Sequence, residues 1–125
     1  MMSYEKLDAW KSGHALVMAV LDARQSYQGR DKRLVGRLAY TAIRAVGKLA
    51  FGKGTGNRKM FLMATARAGG FLSEFQYHLS LVRVMGVLPE ALCGQLDALR
   101  GRASFYVGQL MESLLVPRKR DRPSD

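Results

Sequence analysis

The stretch Asn57–Gly86 reads NRKMFLMATARAGGFLSEFQYHLSLVRVMG, and its periodicity decides the architecture of the chain. Asn57 has a side chain that can accept a hydrogen bond from a free N–H at a helix start. No proline follows before Gly86. Phe61, Thr65, Ala68, Leu72, Phe75, Leu79, Val82 and Gly86 step alternately by four and three, the spacing of one seam on a helix packed in a bundle. Ala64, Phe71, His78 and Met85 form a second row beside it. The spacing predicts one helix over 57–86 with apolar surface on more than one face. Such a helix needs several neighbours to cover it.

The rest of the chain offers those neighbours. Leu7, Trp10, His14, Val17 and Leu21, widened by Leu16 and Val20, predict a first helix over 4–27, with Ser3 suited to cap it. Trp10 and His14 lie on this stripe and are expected as core residues. Gln28, Gly29 and Arg30 read as a turn. Val35, Leu38, Ala42, Val46 and Leu49 predict a second helix over 31–51, with Asp31 favourable at its positive end. Gly52-Lys53-Gly54-Thr55-Gly56 is expected to end it. Gly86, Val87, Leu88 and Pro89 read as a further turn, with Pro89 at the first position of a fourth helix over 89–115. That helix repeats the four-three step at Leu92, Leu96, Leu99, Ala103, Tyr106 and Leu110. Residues 1–116 thus read as one all-α domain, an antiparallel up-down-up-down four-helix bundle. Residues 117–125, with Arg118, Lys119, Arg120 and Arg122, read as a disordered basic tail. Gly69 and Gly70 are costly inside a helix, which suggests a close neighbour there. Glu74, the one acid between Asp31 and Glu90, is expected as a buried or half-buried partner of a basic group.

Charge is the most pronounced global feature. The 125 residues carry a net charge of +10. Between Arg24 and Lys59 ten basic residues face Asp31 alone, so nine of the ten net charges lie in this segment. At roughly 100° per residue, Arg30, Arg33, Arg37, Arg44 and Lys48 fall in one narrow sector of the second helix, with Tyr40 and Thr41 completing the row. Such a stripe can follow a phosphate backbone, and Tyr40 can stack on a base. The predicted nucleic-acid contacts are Arg33, Arg37, Arg44, Lys48, Lys53, Arg58 and Lys59, with RNA favoured over DNA and little sequence preference. The alternatives are a solvated basic face or a face that docks an acidic protein.

No catalytic constellation accompanies this charge. There is no metal-ligand cluster, no Ser/His/Asp set and no pair of carboxylates at working distance in sequence. No cofactor is implied. Gly47, Gly52 and Lys53 match part of a phosphate-binding loop, but Gly54 stands where Ser or Thr must hold magnesium, and the segment follows a helix rather than a strand. Cys93, the single cysteine, cannot form an internal disulfide and fits a reducing compartment. No apolar run is long enough to span a bilayer, and the first residues lack the pattern of a secretory signal. The expected location is cytoplasmic.

Several short motifs resemble those of the four-helix-bundle family of 23S ribosomal RNA intervening-sequence proteins. Its first-helix Leu-x-x-Trp is matched by Leu7 and Trp10. Its Gly-x-Leu-x-Glu pattern is matched by Gly70, Leu72 and Glu74, with Phe75 and Leu79 beyond. Its Leu-Gly-x-Leu turn is matched by Met85, Gly86 and Leu88. Where that family carries Ser-Ile-Pro-Ser-Asn-Ile-Ala-Glu-Gly, this chain has Arg44 to Gly52, keeping only Ala50 and Gly52 and adding two basic residues. The resemblance implies a cytosolic, non-enzymatic bundle that assembles into a homopentamer. It extends to the accessory variability determinant proteins of diversity-generating retroelements, which implies nucleic acid and a reverse transcriptase as partners.

Overall fold

A computed structural model describes Tyr4 and residues 7–116. Four helices follow one another: α1 Asp8–Ser26, α2 Lys32–Gly54, α3 Arg58–Val84 and α4 Glu90–Leu115. Among the described residues there is no strand. Each helix packs side by side on two others, α1 on α2 and α4, and α3 on α2 and α4. The connections 27–31, 55–57 and 85–89 are too short for anything but antiparallel neighbours. The result is a four-helix bundle in which α2 and α3 share the most extensive interface.

The seam on α3 forms the centre of the core. Phe61, Thr65, Ala68, Leu72, Phe75, Leu79 and Val82 are all buried. The Thr65 hydroxyl donates to the Phe61 carbonyl at 2.8 Å, which satisfies a polar group in an apolar surround. With Ala68, Leu72, Phe75, Leu79 and Val82 of this seam pack Leu16 and Val20 of α1, Val35, Leu38 and Leu49 of α2, and Leu96, Ala103 and Val107 of α4. The second α3 row fades toward the C-terminus. Ala64 is buried, Phe71 and His78 are half-buried, and Met85 is exposed.

The ends of α3 follow local chemistry. Asn57 Oδ1 accepts from the Met60 N–H at 2.9 Å, the cap expected from its side chain. At the other end the Val87 N–H reaches the Val82 carbonyl at 2.9 Å and the Gly86 N–H reaches Arg83 at 3.2 Å. This 6→1 and 5→2 pair needs a left-handed residue, and Gly86 supplies it with φ of 64°.

Several boundaries differ from the sequence expectation. α1 begins at Asp8 rather than at residue 4; its N-cap, Leu7, is extended and offers no side-chain cap, while Ser3 lies outside the described residues. Residues 117–125 also lie outside them. Pro89 is the N-cap of α4 rather than its first helical residue. α2 runs through to Gly54, so most of the expected glycine break is helical. The reversal is left to Thr55, Gly56 and Asn57, where Gly56 takes φ of 66° and the Thr55 hydroxyl donates to the Gly52 carbonyl at 2.7 Å.

Packing explains why a glycine sits inside α2. A Cβ on Gly52 would stand 2.7 Å from Ala64 Cβ and 3.0 Å from Phe61 Cδ1. A Cβ on Gly13 would meet Val46 Cγ2 at 2.8 Å. These two glycines are the close approaches of α2 to its neighbours. Gly69 and Gly70, expected in that role, are not: a Cβ on Gly69 would meet Val107 at an ordinary 3.7 Å, and one on Gly70 would meet nothing within 4 Å.

The same small residues turn α1. Its buried positions are Ala9, Ser12, Gly13, Leu16, Val17, Val20 and Ala23. Close approach at Gly13 rotates the expected stripe toward the rim. Trp10 is therefore half-buried, not a core anchor, and His14 is exposed and stacked on it at 4.7 Å between ring centroids.

Candidate nucleic-acid interface

The helical register of α2 sorts its side chains into two opposed sectors. Val35, Leu38, Ala42 and Leu49 are buried against the bundle, while Arg33, Arg37 and Arg44 are exposed on the other side. Lys48 completes the exposed row half-buried at the edge facing α3. These four cations occupy a sector of roughly 60° at about 100° per residue. From Arg33 to Lys48 the row extends about 22 Å at 1.5 Å per residue. Tyr40 and Phe51 share the sector, 59% and 57% exposed.

The antiparallel packing of α3 adds to this row what the linear order of residues conceals. Arg67 meets Arg44 and Lys48 across a groove also lined by Gly70, Phe71 and Glu74. Toward the reversal the groove continues between Lys48, Phe51, Met60, Met63 and Arg67. The Arg44 guanidinium lies 5.3 Å from the centroid of the Phe71 ring, and Lys48 Nζ lies 5.9 Å from that of Phe51. Both rings steady flexible cations without neutralising them. Arg67 was not among the predicted contacts. Reflecting α2 onto α3 about the 55–57 reversal pairs it with position 45, between Arg44 and Lys48, so a hairpin register would have located it.

The other predicted contacts separate from the row. Lys53 lies about 200° around α2 from Arg33, on the far side. It is half-buried, with Nζ 5.7 Å from the Phe61 ring centroid. Arg58 donates from Nη2 to the Ser113 carbonyl at 2.9 Å and to the Val116 carbonyl. It thereby caps the free carbonyls at the end of α4 and is spent on structure. Lys59 is exposed on the first turn of α3, about 80° around that helix from Arg67. The continuous extension of the stripe through Lys53, Arg58 and Lys59 therefore does not form. What forms is the α2 row Arg33, Arg37, Arg44 and Lys48, joined at its Arg44–Lys48 end by Arg67.

Glu74 also differs from expectation. It is exposed at the α3 rim of the groove and makes no ion pair within 4 Å among the described residues. The two ion pairs among those residues are Arg83–Glu90 at 3.0 Å and Arg100–Asp97 at 2.9 Å. Neither touches the basic face, so its cations keep their charge toward solvent. The near-match to a phosphate-binding loop is excluded as a loop, since Gly47, Gly52, Lys53 and Gly54 are all helical and their N–H groups serve the helix. Cys93 is buried, with Sγ 3.8 Å from the Leu88 carbonyl. Burial pushes its thiol above the ordinary value, against a smaller opposing effect of Arg83. It is the reverse of an activated nucleophile. No group of three potential metal ligands occurs among the described residues. Among the described residues no helix is long and apolar enough to cross a membrane.

No protein-family model matches the chain, and no curated protein matches it in sequence.

Proposed function

We propose that this protein is a basic, self-assembling, non-enzymatic bundle that binds nucleic acid, RNA in preference to DNA, through the α2–α3 face and with little sequence specificity. The observation that carries the reading is the row Arg33, Arg37, Arg44 and Lys48 with Arg67 joining its Arg44–Lys48 end, whose cations have no carboxylate within 4 Å among the described residues. Such a field attracts phosphates and offers no base-reading geometry of its own. The motif resemblance to the ribosomal RNA intervening-sequence proteins agrees with it, and suggests a cytoplasmic homopentamer.

The test is binding of the nuclease-treated protein to a structured RNA and to duplex DNA across a salt series, with native mass recorded on the same sample. Five phosphate contacts per subunit give a slope of roughly −3.5 to −4.5 in log K against log salt. Affinity should then fall on the order of a hundredfold or more for a fourfold rise in salt. Replacing Arg37, Arg44 and Arg67 by Gln should flatten the slope by about 2 to 3. Absence of binding beyond a low-salt trace, or an unchanged slope in the triple variant, refutes the reading.

One observation favours a second reading. Phe51, Met60 and Met63 are exposed beside the cations, an adaptable apolar surface of the kind that docks a protein segment. On that reading the bundle is an accessory subunit for an acidic protein such as a reverse transcriptase. Nuclease-resistant capture of the purified partner would favour it.

A further inference from the structure

Every exposed ring on α2 shares the sector of its exposed arginines. Tyr40 and Phe51 stand in the row with Arg33, Arg37, Arg44 and Lys48, not on the flanks. Tyr77 and Phe105 are equally exposed on other helices, so what marks Tyr40 and Phe51 is their place within the cationic row rather than their exposure. Tyr40 is the clearer case. It is 59% exposed, and among the described residues its ring has neither an aromatic nor a cationic partner. Its ring face is open. Phe51 has Lys48 near its ring and is otherwise 57% exposed. The two residues are separated by about 16 Å along the helix. Between them lies the convergence of Arg44, Lys48 and Arg67.

We infer that the polyanion this face takes is an unpaired strand rather than a duplex. The inference rests on the nucleic-acid reading above and adds the substrate class. A duplex presents phosphates to the arginines, but its base faces are covered by their stacked neighbours and the rings gain nothing. An unpaired strand presents both. Its phosphates meet the cations of α2 and Arg67, and its bases lie on the rings of Tyr40 and Phe51. The stacking is indifferent to sequence because every base has a π face. Glu74 at the α3 rim is the one carboxylate in the groove and disfavours phosphate there, which keeps the strand on the α2 side. Each ring then contributes on the order of tenfold in affinity for an unpaired strand and none for a duplex.

The experiment compares the full-length protein on oligo-U and on a fully paired RNA duplex of matched strand length, at physiological salt. The duplex carries twice the phosphates, so charge alone favours it. The expected result is tighter binding to oligo-U. Tyr40→Leu should lower oligo-U affinity about tenfold, leave duplex affinity unchanged and leave the salt slope unchanged. Phe51→Leu should do the same, whereas Arg44→Gln should weaken both ligands and flatten both slopes. Duplex binding equal to or tighter than oligo-U, with Tyr40→Leu silent, overturns the inference while the nucleic-acid reading stands. Failure to bind either ligand overturns both. Because Tyr40 and Phe51 are exposed, their variants fold, and an unchanged melting midpoint confirms it.

Discussion

Gly52→Ala tests the contact that sets the spacing of α2 and α3, and hence the groove. The added Cβ would lie 2.7 Å from Ala64 Cβ, 3.0 Å from Phe61 Cδ1 and 3.3 Å from Phe61 Cα. Ala64 Cβ and Phe61 Cα cannot rotate away, so relief requires a shift of one helix against the other. Overpacking of this kind costs about 1–3 kcal/mol. Alanine returns at most about 1 kcal/mol of helix propensity, less in the last turn of α2. The net expectation is a loss of about 1 kcal/mol, which for a domain of this size lowers the melting midpoint by roughly 4 °C. Gly70→Ala is the control. It lies inside α3, and its Cβ would meet nothing within 4 Å. It should gain the propensity term alone, about 1 kcal/mol, and raise the midpoint by a few degrees. Thermal unfolding followed by circular dichroism reads both. If Gly52→Ala melts at or above the wild-type midpoint, α2 and α3 are not locked by this contact, and the placement of Arg67 beside Lys48 loses its support.

Two further outcomes follow from side chains outside the basic row. Arg58→Gln should lower stability by about 1 kcal/mol through loss of its bonds to the Ser113 and Val116 carbonyls. It should leave the salt slope of the proposed nucleic-acid binding unaltered; a flatter slope would return Arg58 to the candidate interface. Cys93 has its pKa raised by burial in the folded chain, so the unfolded chain ionises first as pH climbs past the ordinary 9.0. The associated stability is present below that range and lost above it. Denaturant midpoints should therefore fall more steeply in alkali for the wild type than for Cys93→Ala, and equal slopes in the two proteins would contradict this.

Much of the fold was legible because helix periodicity is a local property. The α3 seam from Phe61 to Val82 is buried throughout, and the Asn57 cap and the Gly86 reversal formed where their chemistry placed them. The row Arg33, Arg37, Arg44 and Lys48 was legible for the same reason, since residues on one helix keep a fixed angular relation whatever surrounds them. The glycines were misread because propensity reports only a cost. It says that Gly52 and Gly70 are both unfavourable in a helix, and not which of them has a neighbour at van der Waals distance.

The sequence by itself determined the four helices, their antiparallel order and the concentration of positive charge on one face of the second. These depend on spacings of three and four residues and on connections too short to allow other orders. Tertiary structure decided the rest. It rotated α1 around Gly13, exposing His14 and moving Trp10 to the rim. It carried α2 past the expected break and assigned Arg58 to the end of α4. It also brought Arg67 to Arg44 and Lys48. Each of these is set by how closely two helices approach, which depends on the side chains of both at once and is written in neither segment alone.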